Sequence, residues 1–152
     1  MDLPPDFRDL LEEFARAKVE FVVVGGYAVA FHARPRATKD IDLVLDGAPE
    51  NLSRAADALA AFGAPASVAD ATRHLRDDEV VYLGQAPLRI DLLRSIDGVE
   101  PAGLFARAVA TTWDGIPVKV IARQDLIANK RAMSRPQDVI DAEILERTTT
   151  RE

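Results

Sequence analysis

A run of aromatic and β-branched residues, Phe21-Val22-Val23-Val24, stops at Gly25-Gly26. Fourteen residues past the second glycine a second apolar run opens on two acids, Asp40-Ile41-Asp42-Leu43-Val44-Leu45. Both runs have strand composition. Successive strand side chains point to opposite faces, so Asp40 and Asp42 project together while Ile41 and Leu43 face the other way. One face of the second strand therefore belongs to a core, and the other must sit where two carboxylates are tolerated. Neighbouring carboxylates repel unless a cation or a shared proton lies between them. Paired hard oxygen ligands suit Mg²⁺, which binds protein carboxylates together with phosphate oxygens. A glycine turn lets a phosphate-bearing substrate approach the backbone. The pattern predicts a metal-dependent nucleotide site.

The rest of the chain sets the frame. Its 152 residues suit one domain, expected to span 1–152 with no linker, repeat or low-complexity stretch. At 48% apolar and 29% charged it has the composition of a soluble globular protein. The absence of cysteine excludes disulfides, thiol catalysis and cysteine-bound zinc, and fits a reducing cytoplasm. Met1-Asp2-Leu3-Pro4-Pro5 carries neither the basic nor the apolar part of a signal peptide, and no apolar run is long enough for a membrane span. A net charge of −6 argues against a broad nucleic-acid surface without excluding a local basic patch. His32 and His74 have no metal-ligand spacing.

Periodicity and punctuation predict the elements. Phe7, Leu10, Leu11 and Phe14 define an amphipathic helix over Asp6 to Lys18. Glu20 to Val24 is a buried strand, broken by Gly25-Gly26 and followed by a short helix over Tyr27 to His32. Ala33 to Lys39 forms a polar loop, Asp40 to Leu45 the second strand, and Pro49 opens a helix reaching about Ala61. Ser67 to Asp77 is ambiguous. Glu79 to Leu83 and Leu88 to Leu93 are strands, and Pro101 to Ala108 is a short helix. Val109 to Trp113 and Ile116 to Ile121 form a hairpin about Asp114-Gly115. Two helices, Arg123 to Met133 and Pro136 to Glu146, close the chain as a C-terminal pair. This order predicts an α/β fold, a mixed β-sheet packed with helices.

A third acid, Asp91, interrupts the apolar run Leu88-Arg89-Ile90-Asp91-Leu92-Leu93. Unpaired buried acids are costly, so either Asp91 converges with Asp40 and Asp42 or its strand is an edge strand with Asp91 in water. Gly-Gly, then acid-x-acid, then a later strand acid resembles the nucleotidyltransferase (polymerase-β-like) superfamily. The closer resemblance is to small bacterial AbiEii-like nucleotidyltransferase proteins, with their Arg-x-Thr-x-Asp-Ile-Asp-Leu stretch. Here that stretch is Arg36-Ala37-Thr38-Lys39-Asp40-Ile41-Asp42-Leu43. Lys130 matches the family's late helical lysine. Arg135-Pro136-Gln137-Asp138-Val139-Ile140-Asp141 matches its Arg-x-Lys-Asp-x-x-Asp segment, with Gln137 in place of the lysine. The resemblance covers residues from about 21 to 145.

The resemblance implies a nucleotidyltransferase fold that moves a nucleoside monophosphate from an NTP to an acceptor: an RNA, a protein or a small molecule. It implies Asp40, Asp42 and Asp91 as ligands of Mg²⁺ or Mn²⁺. These three acids and Lys130 would be the catalytic set. Gly25, Gly26, Arg36, Thr38, Lys130 and Asp138 would contact the nucleotide. Such proteins serve within toxin–antitoxin pairs as either member, so the competing reading is a non-catalytic antitoxin or interaction module of the same fold. With little chain beyond the last two helices, a partner protein or second subunit is expected to help hold the acceptor.

Competing readings stand beside each residue. Val22 to Ala28 resembles a truncated dinucleotide fingerprint, but the acids begin the second strand instead of ending it. Asp-x-Asp also marks haloacid dehalogenases, where the apolar run precedes the pair; here it follows. Thr38 is either a turn residue or a substrate contact. Arg34, Arg36 and Lys39 either meet phosphates or solvate a loop. Lys130 either faces inward or makes a surface pair with Asp138 and Asp141. Tyr27, Phe31 and Trp113 read as packing residues.

Overall fold

In a computed structural model, which describes residues 2–33, 35 and 37–148, the six strands form one mixed sheet. In chain order they are β1 (Phe21–Val24), β2 (Asp40–Leu45), β3 (Val81–Leu83), β4 (Arg89–Leu93), β5 (Val109–Trp113) and β6 (Ile116–Val120). Their spatial order is β3-β4-β2-β1-β6-β5. β1 is antiparallel to β2 and parallel to β6; β2 is parallel to β4; β3–β4 and β5–β6 are antiparallel pairs. The helices are α1 (Pro5–Arg16), α2 (Gly25–His32), α3 (Pro49–Phe62), α4 (Ala66–Arg73), α5 (Pro101–Arg107), α6 (Arg123–Met133) and α7 (Pro136–Arg147). No helix among the described residues is long and apolar enough to cross a membrane.

Each element follows from its residues. All four residues of β1 are buried, as a central strand of Phe and Val requires. α1 buries Phe7, Leu10, Leu11 and Phe14, one apolar stripe, against α3 and β6. Pro stands in the first turn of α1, α3, α5 and α7, where its missing N–H costs no hydrogen bond. The β5–β6 turn places Asp114 at φ +51° and Gly115 at φ +79°, the two left-handed residues of a tight hairpin. The stretch from Ser67 resolves into α4, a helix that buries only Ala69 and Thr72. His32 is fully buried, with Nε2 2.6 Å from the carbonyl oxygen of Ile121, so it ties α2 to the end of β6. Trp113 and Tyr27 are buried and pack together, and Phe31 also lies against Trp113.

Two features of this fold position charge. β4 is an internal strand, so Asp91 is buried and not washed by water at an edge. The α6–α7 pair packs against α2, the helix that begins at Gly25-Gly26. The C-terminal helices thereby face the same end of the sheet as the acid pair on β2.

Candidate active site

Strand register brings the acids together. On the parallel pair β2–β4, Asp42 stands opposite Asp91 and Asp40 opposite Arg89. On β1–β2, Val24 stands opposite Asp42, so the glycines begin beside the second acid. Gly25 has φ +70°, and a Cβ placed on it would meet Asp42 Oδ2 at 2.2 Å. Glycine is thus required here twice, for conformation and for space. A Cβ on Gly26 would lie 3.0 Å from Thr38 Oγ1. Thr38 packs over that glycine and donates its hydroxyl hydrogen to the Asp40 carbonyl oxygen at 3.1 Å, shaping the approach to β2.

Asp42 is perturbed by the acid it faces. Burial, first, and then the charge and hydrogen bond of Asp91 push the Asp42 carboxyl up to about 7; Asp40 adds to the rise and Lys130 opposes it. Asp42 and Asp91 thus share a hydrogen bond where two anions would repel. Arg89 takes up much of the remaining charge. Its Nε donates to Asp91 Oδ1 at 2.8 Å, and its Nη2 donates to Asp91 Oδ2 at 3.2 Å and to Asp40 Oδ2 at 3.4 Å. The guanidinium also lies 4.8 Å from the ring centroid of the exposed Tyr82, which stands opposite Asp91 on β3. Among the described residues no three Asp, Glu or His side chains are already gathered about one cation position.

A second charged group faces the first. Lys130 on α6 is buried, 3.4 Å from Asp138 Oδ1 and 3.3 Å from Asp141 Oδ2 on α7. It faces inward, and the surface-pair reading is excluded. Asp138 also accepts from the Arg135 backbone N–H at 3.2 Å, from Arg135 Nε at 2.6 Å and from its Nη2 at 3.2 Å. The Arg135 hydrogen bond, foremost, holds this carboxylate below its ordinary range, with the charge of Lys130 adding to it against the cost of burial. Both oxygens of Asp138 are therefore engaged in holding Arg135 and Lys130. Gln137, which stands where the family pattern has lysine, donates to Asp141 Oδ1 at 2.9 Å.

Both groups line one cleft of about 830 Å³, bounded by β1, the start of α2, β2, β4 and the α6–α7 pair. Gly25, Gly26, Thr38, Asp40, Asp42, Asp91, Lys130 and Asp138 all border it. Arg36 lies outside the described residues. Arg89 and Arg135 border the same cleft. Arg89 was not among the residues expected from the sequence; its i, i+2 spacing from Asp91 on one strand face was the available signal, and its reach to Asp40 depends on cross-strand register. A second cavity of about 620 Å³, lined by Tyr27, Phe31 and Trp113 among others, meets the first at Thr38 and, among the described residues, has Asp2 as its one acid.

Comparison with known proteins gives the family and the fold. The family model described as nucleotidyl transferase AbiEii toxin, of a type IV toxin–antitoxin system, matches residues 9–150. No curated protein sequence matches the chain. Among solved structures, a lincosamide antibiotic adenylyltransferase, LnuA, bound to lincomycin, superposes with a TM-score of 0.61 at 16% identity, over 95% of this chain and 96% of that one. A putative nucleotidyltransferase from Thermotoga maritima gives 0.57 at 19% identity, over 93% and 88%. ANT(2″)-Ia, in complex with adenylyl-2″-tobramycin, gives 0.53 at 14% identity, over 91% and 84%. At these identities the structures establish a shared fold.

Proposed function

The chain belongs to the AbiEii nucleotidyl transferase family, and from that premise we propose that it transfers a nucleoside monophosphate from an NTP to an acceptor, as the toxin of a toxin–antitoxin pair. The observation that carries this reading is the in-register pairing of Asp42 with Asp91 against the side-chain-free face of Gly25. An interaction module has no use for it, because keeping such acids together is costly. The family's description as a toxin favours that role over the antitoxin alternative. A chain without cysteine suits work in a reducing cytoplasm.

The donor set fits a divalent ion. It consists of hard carboxylate oxygens, whose crowding raises the Asp42 carboxyl and whose charge the Arg89 guanidinium partly offsets. Asp40, Asp42 and Asp91 would hold Mg²⁺ or Mn²⁺. When bound, the ion would neutralise phosphate charge and polarise the reacting phosphorus.

The chain's own residues do the rest. Gly25 and Gly26 leave room for the triphosphate to approach the backbone at the start of α2. Asp91, facing Asp42, takes the proton of the acceptor hydroxyl as its oxygen forms a bond to the α-phosphorus. The bond from that phosphorus to the pyrophosphate oxygen breaks. Lys130 and Arg135, anchored by Asp138, present positive charge to the departing pyrophosphate across the cleft. Thr38 sets the loop that leads into β2.

The test is transfer of label from each α-labelled NTP to components of a cell extract with Mg²⁺ or Mn²⁺ present. Asp40→Ala and Asp42→Ala should abolish transfer while staying folded, and Lys130→Ala should weaken it less completely. Failure of the wild-type protein to bind any NTP, even with Mn²⁺, would remove the enzyme reading and favour the interaction module.

A further inference from the structure

Arg89 reaches into the cleft that Asp40, Asp42 and Asp91 line. A guanidinium carries a fixed charge and a planar fork that matches a carboxylate. Here the fork closes on both oxygens of Asp91 at 2.8 and 3.2 Å, and one arm reaches Asp40 Oδ2 at 3.4 Å. Its side chain is half exposed, so it is not locked in by packing and has solvent to move into. The Tyr82 ring beside it supplies a face on which the guanidinium rests. The partner sides differ: Asp91's side chain is nearly buried and Asp40's is not. Arg89 therefore spans the inner and outer acids of the set.

We propose that Arg89 is a built-in competitor for the divalent ion. It holds Asp91 and Asp40 in its absence and swings off Asp91 when the ion binds. This rests on the metal-site reading given above. A divalent ion set on Asp91 meets the guanidinium's charge at close range and competes with the fork for lone pairs of the same two oxygens. Displacing a half-exposed, bidentate, charge-assisted pair lowers the apparent metal affinity by roughly fivefold. The device keeps Asp91 and Asp40 ordered and offsets their charge before substrate arrives. It also raises the metal level at which the site becomes loaded.

The experiment is calorimetric titration of Mn²⁺ into the full chain at pH 8.5, for wild type, Arg89→Lys and Arg89→Gln, each checked for an unchanged circular dichroism spectrum. It is paired with observation of the ¹⁵N-labelled Arg89 Nε–H resonance on addition of Mg²⁺. Arg89→Gln should bind Mn²⁺ roughly fivefold more tightly than wild type, and Arg89→Lys should also tighten, since it keeps the charge and loses the fork. The Arg89 Nε–H signal should shift towards that of a free arginine at saturating Mg²⁺. Unchanged or weaker binding in Arg89→Gln, with the resonance still shifted by Asp91, overturns the inference and leaves the metal site standing. Tightening in Arg89→Gln with wild-type affinity in Arg89→Lys reduces the effect to net charge and also overturns it. No Mn²⁺ binding by any of the three proteins removes the metal site itself, and the inference falls with it.

Discussion

Two residues govern the candidate site at the smallest scale, and each yields a prediction. Gly25 sits at φ +70° with Asp42 Oδ2 where its Cβ would be. Gly25→Ala should cost at least about 2 kcal/mol in urea unfolding, from the left-handed conformation and the displaced carboxylate together. A loss below half that would mean that Asp42 turns aside freely. Asp42 carries the second prediction. Its folded-state value, about 7, lies above the ordinary 3.8. The folded protein therefore keeps a proton that the unfolded chain releases. That contribution to stability is complete below the unfolded value and is lost as pH rises towards 7. The melting temperature of metal-free wild type should fall, relative to Asp42→Asn, between pH 5 and pH 8. Parallel curves for the two proteins would show that Asp42 is not the titrating group.

At the scale of elements, the α6–α7 pair is held by buried charge and not only by apolar contact. Lys130 sits between Asp138 and Asp141, all three nearly inaccessible to water. Removing one partner from such a group leaves uncompensated buried charge, which costs about 3–5 kcal/mol. Lys130→Met should come near the lower end of that range, because Arg135 and Gln137 still hydrogen-bond the two acids. The exposed pair Arg73–Asp57 between α4 and α3 is the control: Arg73→Ala should change stability by less than about 1 kcal/mol. Equal losses in the two variants would show that burial is not what makes the Lys130 group matter. The same contrast explains what was legible in the sequence. Elements with strong periodicity or firm punctuation were readable: α1 from Phe7, Leu10, Leu11 and Phe14, and the β5–β6 hairpin from Asp114-Gly115. Helix α4 was not, because it buries only Ala69 and Thr72 and carries almost no apolar signal. Asp91 was readable because an acid in an apolar strand needs a reason. The reach of Arg89 to Asp40 was not, because only the β2–β4 register places residues 49 apart in sequence side by side. Lys130's inward orientation was legible only through the family resemblance, since its spacing to Asp138 and Asp141 suits a surface pair equally well.

For the molecule as a whole, the cleft joins two bodies of structure. One wall is the sheet, through Gly25, Gly26, Asp40, Asp42 and Asp91; the other is the α6–α7 pair, through Lys130, Arg135 and Asp138. Few apolar side chains of α7 bind it to the remainder: Ala142 and Leu145 are buried, whereas Val139 and Ile140 are half exposed. Segments with few buried apolar contacts open most readily, so α7 should be among the first helices to exchange its amide hydrogens. A ligand bridging the walls stabilises only the closed arrangement. Saturation at about a hundred times the dissociation constant adds roughly 2.7 kcal/mol. Hydrogen exchange across α7 should therefore slow markedly on adding NTP with Mg²⁺, and much less with Mg²⁺ alone, which engages the sheet wall only. Asp42→Asn should lose the slowing in both walls, because the phosphates would have no ion through which to reach the sheet. Protection confined to residues 24–26 and 40–42 would place the nucleotide on the sheet alone. Lys130 and Arg135 would then be supports of the helix pair and not contacts of the pyrophosphate.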